Sequence, residues 1–425
     1  MYVNRELGEK IGKNLNKKEI LAIVGPRQCG KTTLLKHIYE KLESAVFIDF
    51  EDRENLELFV EDEKAFAELY AKDNKYLFID EFHYAQNGGK KLKFIYDNYP
   101  KTKILISGSS APGITISGMK YLVGRVFVFH LYPFSFEEFL GYKNRRLYEN
   151  LYIPRKESIM KYLNNPKHEF AKTSSAVIEK INRYYEEYVL FGGYPRVVLS
   201  EDIEEKRTVL ENIYNTYFLR EIKEILNLTE DFKLSKLIRA LALQIGNIVS
   251  YNDLSVVSGF RYNDLLKHLN ILEKTFICTR VEPFYSNKRL EIVKSPKIYF
   301  FDNGFRNQVI GDFRNLDRRT DSGKLNENFV ATQLIQRNIK PNFWRSKSKA
   351  EVDFVLQKED KVIPLEVKSL IPKKIFTKSL INFMKKYPSH TPTILSQNMW
   401  GKRRKDREEI LYLPLSFVNA LTDAL

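Results

Sequence analysis

The chain has 425 residues, of which 43% are hydrophobic and 29% are charged, and its formal net charge is +15. This length exceeds one ordinary core, and the composition excludes a disordered or fibrous protein. The two cysteines, Cys29 and Cys278, are too few for a disulfide framework and too isolated for a zinc site.

The surplus of positive charge predicts a polyanionic partner, with nucleic acid as the leading candidate. A lysine-rich proteome with an ordinary solvated surface is the alternative explanation. The first residues lack the apolar core of a signal peptide, and no apolar run approaches the ~20 residues that cross a bilayer. We therefore expect a cytoplasmic protein without membrane contact.

The first part of the chain alternates short apolar runs with helical stretches. The runs lie at residues 20–24, 45–50, 76–80, 103–108 and 126–131. They are rich in Val, Ile and Phe, as buried parallel strands are, and parallel strands need crossover helices between them. Residues 1–143 are therefore predicted to form a doubly wound α/β domain that binds its ligand at the carboxyl ends of the strands.

A phosphate-binding motif of the form G-x-x-x-x-G-K-[ST] follows the first predicted strand and precedes a helical stretch. It comprises Gly25, Pro26, Arg27, Gln28, Cys29, Gly30, Lys31 and Thr32, and Thr33 comes directly after it. Glycines let backbone N–H groups surround phosphates, and the helix dipole favours their negative charge. Lys31 is predicted to contact the β- and γ-phosphates, and the Thr32 hydroxyl to bind magnesium. Cys29 is interpreted as a small filler rather than a redox switch.

The predicted strand at residues 76–80 ends in two carboxylates. Asp80 is predicted to hold the magnesium shell, and Glu81 to polarise the water for in-line attack. Ser107 and Ser109 end the next predicted strand, where they either sense the γ-phosphate or form a small-residue turn. His83 has no partner at metal-ligand spacing and is interpreted as a surface or packing residue.

Helical patterns dominate beyond the predicted sheet. Residues 144–231 are predicted to form a helical lid or connector, in which residues 191–198 make a glycine-rich turn and an extended piece. Residues 232–315 contain a helix, a helix–turn–helix and two strands around the polar loop at residues 286–294. This order predicts a winged helix.

The second helix of the predicted winged helix carries Asn263, Lys267 and Asn270 on one face. These residues, with Arg261 just ahead of the helix, are of the kind that contacts DNA. The alternative is a spacer or docking module with a solvated face, which the neighbouring Asp264 favours. The opposite, buried side is predicted to consist of Leu265, Leu266, Leu269 and Leu272. The cations on the predicted wing are Lys288, Arg289 and Lys294.

Residues 316–425 are predicted to form a further α/β domain. Glu327 lies on a helix, Asp353 on a strand, and Glu366 and Lys368 on the paired strand, with residues 359–361 as the hairpin turn. Side chains alternate along a strand, so Glu366 and Lys368 point to the same side. This order resembles the restriction-endonuclease-like fold. Asp353 and Glu366 would hold one or two magnesium ions, Glu327 would assist, and Lys368 would orient or activate water at a phosphodiester.

Three interpretations of this last domain stay open. It is an active metal-dependent nuclease, a nuclease fold that binds DNA or a partner, or a different fold. The proline usual before such an aspartate is missing, because Val352 precedes Asp353, and this counts against catalysis. Residues 401–409 bring further cations, either for DNA or as the solvated face of a helix.

Several motifs together resemble a known family. They are GPRQCGKTTLL, FIDEFHYA, ISGSSAPG, LVGRVFVFHLYPFSFEEFL and FGGYPR. The resemblance is to bacterial and archaeal AAA+ ATPases with a C-terminal domain of unknown function, and it covers nearly the whole chain. It implies an ATP-hydrolysing core with ATP rather than GTP as substrate, a helical lid, a winged helix and a nuclease-like end. It also implies Arg125 or Arg196 as the γ-phosphate-facing arginine, acting in cis or from a neighbouring subunit of a homo-oligomer.

Two functions are compatible with these observations. In the first, ATP controls the engagement or cutting of double-stranded or branched DNA by the C-terminal half. In the second, the chain is a nucleotide-gated regulatory or defence switch whose nuclease-like domain binds without cutting.

Overall fold

The computed structural model describes residues 2–109, 121–226, 228, 232–358, 361–405 and 408–424. We refer to residues 1–143 as the N-terminal unit, 144–231 as the connector, 232–315 as the middle unit and 316–425 as the C-terminal unit. No helix in these described ranges combines the length and apolar character needed to span a membrane.

The strands of the N-terminal unit coincide with the predicted apolar runs. They are β1 (Ile20–Gly25), β2 (Ala45–Asp49), β3 (Tyr76–Asp80), β4 (Lys103–Ser109) and β5 (Val126–His130). All pairings are parallel, in the order β2–β3–β4–β1–β5, which confirms the predicted parallel sheet. The helices around it are α1 (Glu6–Gly12), α2 (Lys31–Tyr39), α3 (Arg53–Glu61), α4 (Glu63–Tyr70), α5 (Gly88–Asn98) and α6 (Phe136–Lys143), with a 3₁₀ turn at Phe82–Tyr84.

The central strands of this sheet are apolar on both faces because helices cover both sides. On β1, Ile20 and Ala22 belong to one buried cluster and Leu21 and Ile23 to another. Successive strand residues point to opposite faces, so the unbroken apolar run supplies both cores. β1 and β4 are buried throughout, whereas the edge strand β5 is half-exposed.

The connector is helical in the residues that the structure describes. Its helices are α7 (Arg145–Leu147), α8 (Ile153–Asn164), α9 (Ser175–Phe191), α10 (Pro195–Leu199), α11 (Ile203–Asn212) and α12 (Arg220–Ile225), with π-helical turns at Tyr148–Tyr152 and Ile213–Leu219. The prediction of an extended piece after the glycine pair was wrong, because α10 occupies it. Pro195 is the first residue of α10, where its fixed φ suits a helix and its missing N–H costs nothing.

The middle unit follows the predicted order of elements, with two short helices added that the sequence pattern did not predict. It consists of α13 (Phe232–Leu243), α14 (Tyr251–Ser258), α15 (Tyr262–Lys274), β6 (Cys278–Val281), α16 (Lys288–Val293), β7 (Lys297–Phe300) and α17 (Asn303–Ile310). β6 and β7 pair antiparallel. The segment predicted as a polar loop contains α16, because the Asn287 side chain accepts a hydrogen bond from the Arg289 N–H at 3.1 Å and caps the helix.

The C-terminal unit is a mixed sheet with helices. Its elements are α18 (Ser322–Gln336), β8 (Asn342–Arg345), β9 (Glu351–Lys358), β10 (Lys361–Val367), α19 (Lys378–Lys386), β11 (Thr393–Ser396), β12 (Gly401–Lys405), β13 (Glu408–Pro414) and α20 (Val418–Asp423), with 3₁₀ turns at Leu316–Arg318 and Leu415–Phe417. The strand order is β12–β13–β11–β10–β9–β8. β9 and β10 form the predicted antiparallel hairpin, of whose turn Glu359 and Asp360 lie outside the described residues.

The basic segment near the C-terminus is not a helix face. Residues 401–405 form the edge strand β12, which pairs antiparallel with β13 from Gly401 opposite Tyr412 to Lys405 opposite Glu408. Positive charges on an edge strand discourage pairing with another chain, which accounts for a run of cations there. Asp406 and Arg407 of the same predicted segment lie outside the described residues.

The middle and C-terminal units share backbone pairing. The chain beyond β6 lies beside β8, where the Phe284 N–H donates to the Phe343 carbonyl at 2.5 Å and the Phe343 N–H to the Glu282 carbonyl at 3.0 Å. This pairing extends the C-terminal sheet by a segment of the middle unit. The two units are therefore joined by these two backbone hydrogen bonds as well as by one apolar cluster.

Candidate functional site

The loop between β1 and α2 has a backbone that only glycine allows at two positions. A Cβ at Gly25 would lie 2.0 Å from the Leu131 carbonyl oxygen, so the chain after β5 approaches the loop too closely for a side chain. Gly30 has a φ of 95°, in the left-handed region, immediately before α2 starts at Lys31. The motif therefore forms a tight turn whose helix N-terminus faces the carboxyl edge of the sheet.

The Lys31 ammonium lies inside this loop. The side chain is buried, and its Nζ donates to the Pro26 carbonyl at 3.1 Å and to the Gly25 carbonyl at 3.3 Å. The loop remains accessible, since Gln28 and Thr33 are exposed. An ammonium held by carbonyls at the start of a helix is placed to contact phosphate oxygens that enter the loop.

Asp80 ends β3 with one oxygen occupied and the other unpaired. Its Oδ1 accepts from the Ser107 hydroxyl and from the Glu81 N–H at 3.1 Å. Its Oδ2 is buried without a partner among the described residues. Burial raises the pKa of Asp80, while hydrogen bonds from Ser107 and Thr32 oppose this rise. A buried carboxylate oxygen without a partner fits a cation, and the Thr32 hydroxyl lies near the same carboxylate, so this pair suits magnesium.

Glu81 has a left-handed backbone and a histidine partner. Its φ and ψ are 50° and 41°, and its Oε2 lies 2.9 Å from Nδ1 of His83. Burial raises the pKa of Glu81, but the nearby His83 and the charges of Lys31 and Arg27 outweigh it and lower the pKa below the ordinary value. The carboxylate is therefore ionised at neutral pH, as a base requires. His83 is a packing residue, as predicted, because its ring lies 4.3 Å from that of Tyr84. Its contact with Glu81 was not predicted, and its position two residues after Glu81 was the available signal.

The two serines of β4 have different surroundings. The Ser107 hydroxyl donates to Asp80 and so orients that carboxylate. Ser109 lies opposite Gly25 in the parallel register, and its buried hydroxyl has no partner in the described part of the chain. Ser109 is thus the better placed of the two to contact a phosphate. Residues 110–120, which include part of the ISGSSAPG motif, lie outside the described residues.

Arg5 supports the loop from behind, which sequence reasoning missed. It is buried, and its guanidinium donates to the Cys29 carbonyl at 2.8 Å, the Tyr132 carbonyl at 2.6 Å and Glu138 at 3.1 Å. These partners lie 24 to 133 residues away in sequence, so no local pattern indicates them. Burial also raises the pKa of the Cys29 thiol, which agrees with a filler rather than a redox-active cysteine.

The two candidate arginines lie at different edges of the sheet. The Arg125 carbonyl accepts from the Ile20 N–H at the start of β1, and its side chain pairs with Asp97 at 3.1 Å. At ~3.3 Å per residue, the six residues of β1 put the loop roughly 17 Å away. The prediction that Arg125 contacts a nucleotide in cis was therefore wrong, and a role in trans stays a prediction. Arg196 follows Pro195, whose Cγ lies 3.8 Å from the position of a Cβ at Gly30.

The predicted carboxylates of the C-terminal unit come together, but with lysines among them. The Lys368 ammonium lies 2.8 Å from Glu366, whose other oxygen accepts from Thr377. Burial lowers the pKa of Lys368, but the carboxylates of Glu366, Asp353 and Glu327 outweigh it and raise the pKa. Lys368 is thus paired with Glu366, and its predicted role at a water molecule stays a prediction.

Asp353 and Glu327 are also engaged. Asp353 Oδ2 accepts from the Val367 N–H at 2.7 Å. Burial and the Glu327 carboxylate raise the pKa of Asp353 to about 7, although the Lys297 charge opposes this rise. Within the described residues, no group of three or more His, Cys, Asp or Glu side chains is arranged to hold a metal ion. The predicted magnesium site at Asp353 and Glu366 does not fit this arrangement.

The polar face of α15 is exposed as predicted. Asn263, Lys267 and Asn270 are exposed, and Lys267 lies 3.7 Å from Asp264. The cations Lys288, Arg289 and Lys294 are exposed too, on and beside α16 rather than on a strand. Of the predicted buried side, Leu265, Leu269 and Leu272 are buried and Leu266 is half-buried.

Comparison with protein families identifies the N-terminal part of the chain. Residues 17–140 match the family described as AAA domain. Residues 182–316 and 322–416 match two families described as domains of unknown function, the first of which begins inside the connector. The chain thus combines an AAA domain with two C-terminal domains of unknown function, as the resemblance implied. The AAA match supports nucleotide binding and hydrolysis.

The chain is also similar to whole proteins and solved structures. An uncharacterised protein of Haemophilus influenzae is 23% identical over 412 residues, covering 93% of each chain. One of Methanocaldococcus jannaschii is 25% identical over 377 residues, which are 84% of this chain and 76% of the relative. The Walker-type ATPase of Pyrococcus abyssi is similar with a TM-score of 0.40 and 16% identity, covering 73% of this chain and 96% of that one. Domain III of the Thermotoga maritima replication initiation protein DnaA has a TM-score of 0.28 and 17% identity, covering 50% and 94%.

Proposed function

We propose that this chain, whose N-terminal unit carries an AAA-type ATPase domain, hydrolyses ATP at the loop of residues 25–32 and that the nucleotide controls contact with DNA. The observation that carries the ATPase part is the unpaired, buried Asp80 Oδ2 on a carboxylate that lies near the Thr32 hydroxyl. Such an arrangement lacks only the cation and phosphates that a P-loop binds.

Each side chain of the site has a separate role in hydrolysis. Lys31 contacts the phosphates, and Thr32 and Asp80 would hold magnesium, which neutralises phosphate charge when bound. Glu81, held ionised by its surroundings, takes the proton of the attacking water. His83 fixes the Glu81 carboxylate from 2.9 Å, so that the base does not turn away from the loop.

The DNA part rests on exposure and charge. The α15 face of Asn263, Lys267 and Asn270 is exposed on a chain of net charge +15, and the cations of α16 lie on the same unit. A route from the nucleotide to this unit exists. Pro195 packs at Gly30, and the Gly193 N–H donates to Asp302, the N-cap of α17 in the middle unit, at 2.7 Å.

The test compares wild type, Lys31→Ala and Glu81→Gln for binding of a fluorescent ATP analogue and for phosphate release, with and without duplex DNA. Lys31→Ala should lose binding because the phosphates lose their ammonium. Glu81→Gln should keep binding and lose turnover by ~10²–10⁴-fold, the usual cost of removing a positioned catalytic group. Unchanged turnover in Glu81→Gln would contradict the assignment of the base.

The DNA arm of the same experiment uses Lys267→Ala. We expect a lower affinity for duplex DNA. The slope of the logarithm of the binding constant against the logarithm of the salt concentration should become shallower by about one, as for one lost phosphate contact. Lys10→Ala is the matched control, because Lys10 is an exposed cation of α1 in the N-terminal unit. If duplex DNA neither binds at moderate salt nor changes ATP turnover, the DNA part of the proposal is wrong.

A second candidate is a nucleotide-gated switch that binds through its C-terminal unit and cuts nothing. The observation that favours it is the presence of lysines among the C-terminal carboxylates. DNA that stays intact with magnesium or manganese, whether or not ATP is present, would support this candidate.

A further inference from the structure

The carboxylates of the C-terminal unit contain a lysine from another unit. Lys297 begins β7 of the middle unit, and its side chain is only 1% exposed. Its ammonium lies 2.5 Å from Glu351 Oε1 and 3.7 Å from Glu327 Oε2. Burial lowers the pKa of Lys297, but the charges of Glu327, Asp353 and Glu351 outweigh it and raise the pKa. The Lys297 ammonium therefore lies inside this group of carboxylates.

The group as a whole is electrically matched. We define the carboxylate cluster as Glu327, Glu351, Asp353 and Glu366. The cations paired with its members are Lys297, Lys324, Lys368 and Arg345. Four acidic groups thus face four basic ones, and the cluster has no surplus negative charge to attract a divalent ion.

Both oxygens of Glu327 and both oxygens of Glu366 are already in use. Glu327 Oε1 accepts from Lys324 at 2.9 Å, and its Oε2 accepts from the Tyr299 hydroxyl at 3.1 Å. Both oxygens of Glu366 are bonded, to Lys368 and to Thr377. Magnesium needs several oxygen ligands in a near-octahedral shell, and its charge would repel an ammonium that is already in place.

The middle unit also covers one carboxylate of the cluster. A Cβ at Gly246 would lie 2.8 Å from Glu327 Oε2, so the turn after α13 rests directly on this carboxylate. The turn is held by the Gly246 N–H, which donates to the Ile298 carbonyl at 2.9 Å, and by Lys324, which donates to the Gly246 carbonyl at 3.1 Å. A phosphodiester could reach Glu327 only if the two units separated.

We propose that the Lys297 ammonium takes the place of the divalent cation in the carboxylate cluster, which is a metal-free joint between the middle and C-terminal units in every nucleotide state. The C-terminal unit then hydrolyses no phosphodiester. Its carboxylates instead fasten the two units to each other. This inference concerns a different site from the proposed ATPase and does not depend on ATP hydrolysis or DNA binding.

The test measures Mn²⁺ binding to the full chain by electron paramagnetic resonance. Without nucleotide, wild type and Asp353→Asn should show the same Mn²⁺ binding. With a non-hydrolysable ATP analogue, both should gain only the ion that accompanies the nucleotide. An ion bound by wild type and lost in Asp353→Asn, in either condition, overturns the proposal.

A second variant tests the role of the lysine itself. Lys297→Met keeps the length of the side chain and removes its charge, so the cluster becomes negative. This variant should gain a Mn²⁺ site. Its affinity for Mn²⁺ should be at least about tenfold higher than that of wild type, the scale of one strong charge contact. The double variant Lys297→Met with Asp353→Asn should lose that gain. If Lys297→Met folds and binds Mn²⁺ as wild type does, Lys297 does not take the place of a metal ion.

Discussion

The backbone of Glu81 is strained at the point where chemistry is expected. A non-glycine residue with a φ of 50° costs on the order of 1–3 kcal/mol and persists only where its surroundings enforce it. Here the Glu81 N–H donates to Asp80 at 3.1 Å, and the Glu81 carboxylate contacts His83. The charge of nearby Lys31 helps to lower the pKa of this carboxylate.

His83 should therefore matter for turnover and not for nucleotide binding. We expect His83→Ala to lower kcat for ATP hydrolysis by ~10-fold or more, because the base loses the group that positions it, while KM stays near the wild-type value. His83→Asn, whose amide can donate from nearly the same place as Nδ1, should recover much of the loss. Steady-state phosphate release measures both constants.

A control separates this role from general packing. His37 stacks on Tyr2 with ring centroids 3.5 Å apart and has no contact with Glu81, so His37→Ala should leave kcat unchanged. Equal kcat values for wild type, His83→Ala and His83→Asn would show that Glu81 needs no positioning by His83.

The sequence predicted the residues whose roles depend on local geometry. Lys31 and Thr32 follow a strand and a glycine turn, and Asp80 ends the neighbouring strand, so their convergence follows from parallel strand order. His83 and Arg5 escaped prediction for physical reasons. His83 contacts Glu81 through a left-handed turn, and Arg5 contacts partners that lie far along the chain. Neither contact has a periodic pattern.

At the scale of elements, a glycine-rich joint connects the nucleotide loop to the middle unit. Gly192 has a φ of 77°, and the N-terminus of α17 lies against the end of α9. A Cβ at Gly304 would lie 2.0 Å from the Phe191 carbonyl oxygen, and one at Gly193 would lie 2.2 Å from the Phe134 carbonyl oxygen. The end of α9, the start of α17 and the chain at Phe134 therefore meet with no side chain between their backbones.

Gly304→Ala should loosen this joint. A methyl group pressed against backbone carbonyl atoms cannot be relieved by rotating a side chain, so we expect a loss of ~1–3 kcal/mol in the free energy of unfolding. Chemical denaturation measures it. Gly12→Ala is the control, because Gly12 is the last residue of α1 and a Cβ there meets nothing within 4 Å. A Gly304→Ala chain as stable as Gly12→Ala would mean that the two helices can move apart freely.

Elements with strong apolar periodicity were predicted correctly and short ones were not. β1 to β5, α15 and the β9–β10 hairpin follow their patterns. α16 depends on a single cap at Asn287, α10 on Pro195 at its first position, and β12 on a partner strand. A helix of six residues or a charged edge strand has too few apolar positions to show a period.

At the scale of the whole molecule, buried ion pairs tie the two ends of the chain together. Arg337, at the end of α18, pairs with Glu6 of α1, with Glu137 of α6 at 3.1 Å and with Asp423 of α20 at 3.0 Å. Lys156 joins Glu137 and Asp423 as well, at 2.7 and 2.6 Å. Because Ser135 and Glu138, next to Glu137, also bond to α1, the AAA domain and the C-terminal unit share one charged interface.

Removing Arg337 should test whether this interface holds the molecule together. Arg337→Ala leaves Glu137 and Asp423 to share the single ammonium of Lys156, and it removes the cation that pairs with Glu6. Breaking such a buried network typically costs ~3–5 kcal/mol. We therefore expect a lower melting temperature and, by calorimetry, separate transitions for the N-terminal and C-terminal parts. Arg314→Ala is the control, since Arg314 pairs with Asp312 while 67% exposed, and exposed pairs contribute ~0–1 kcal/mol. If both variants melt in one transition at the wild-type temperature, the apolar cluster alone holds the two ends together. The effect of nucleotide binding would then reach the middle unit through the glycine-rich joint instead.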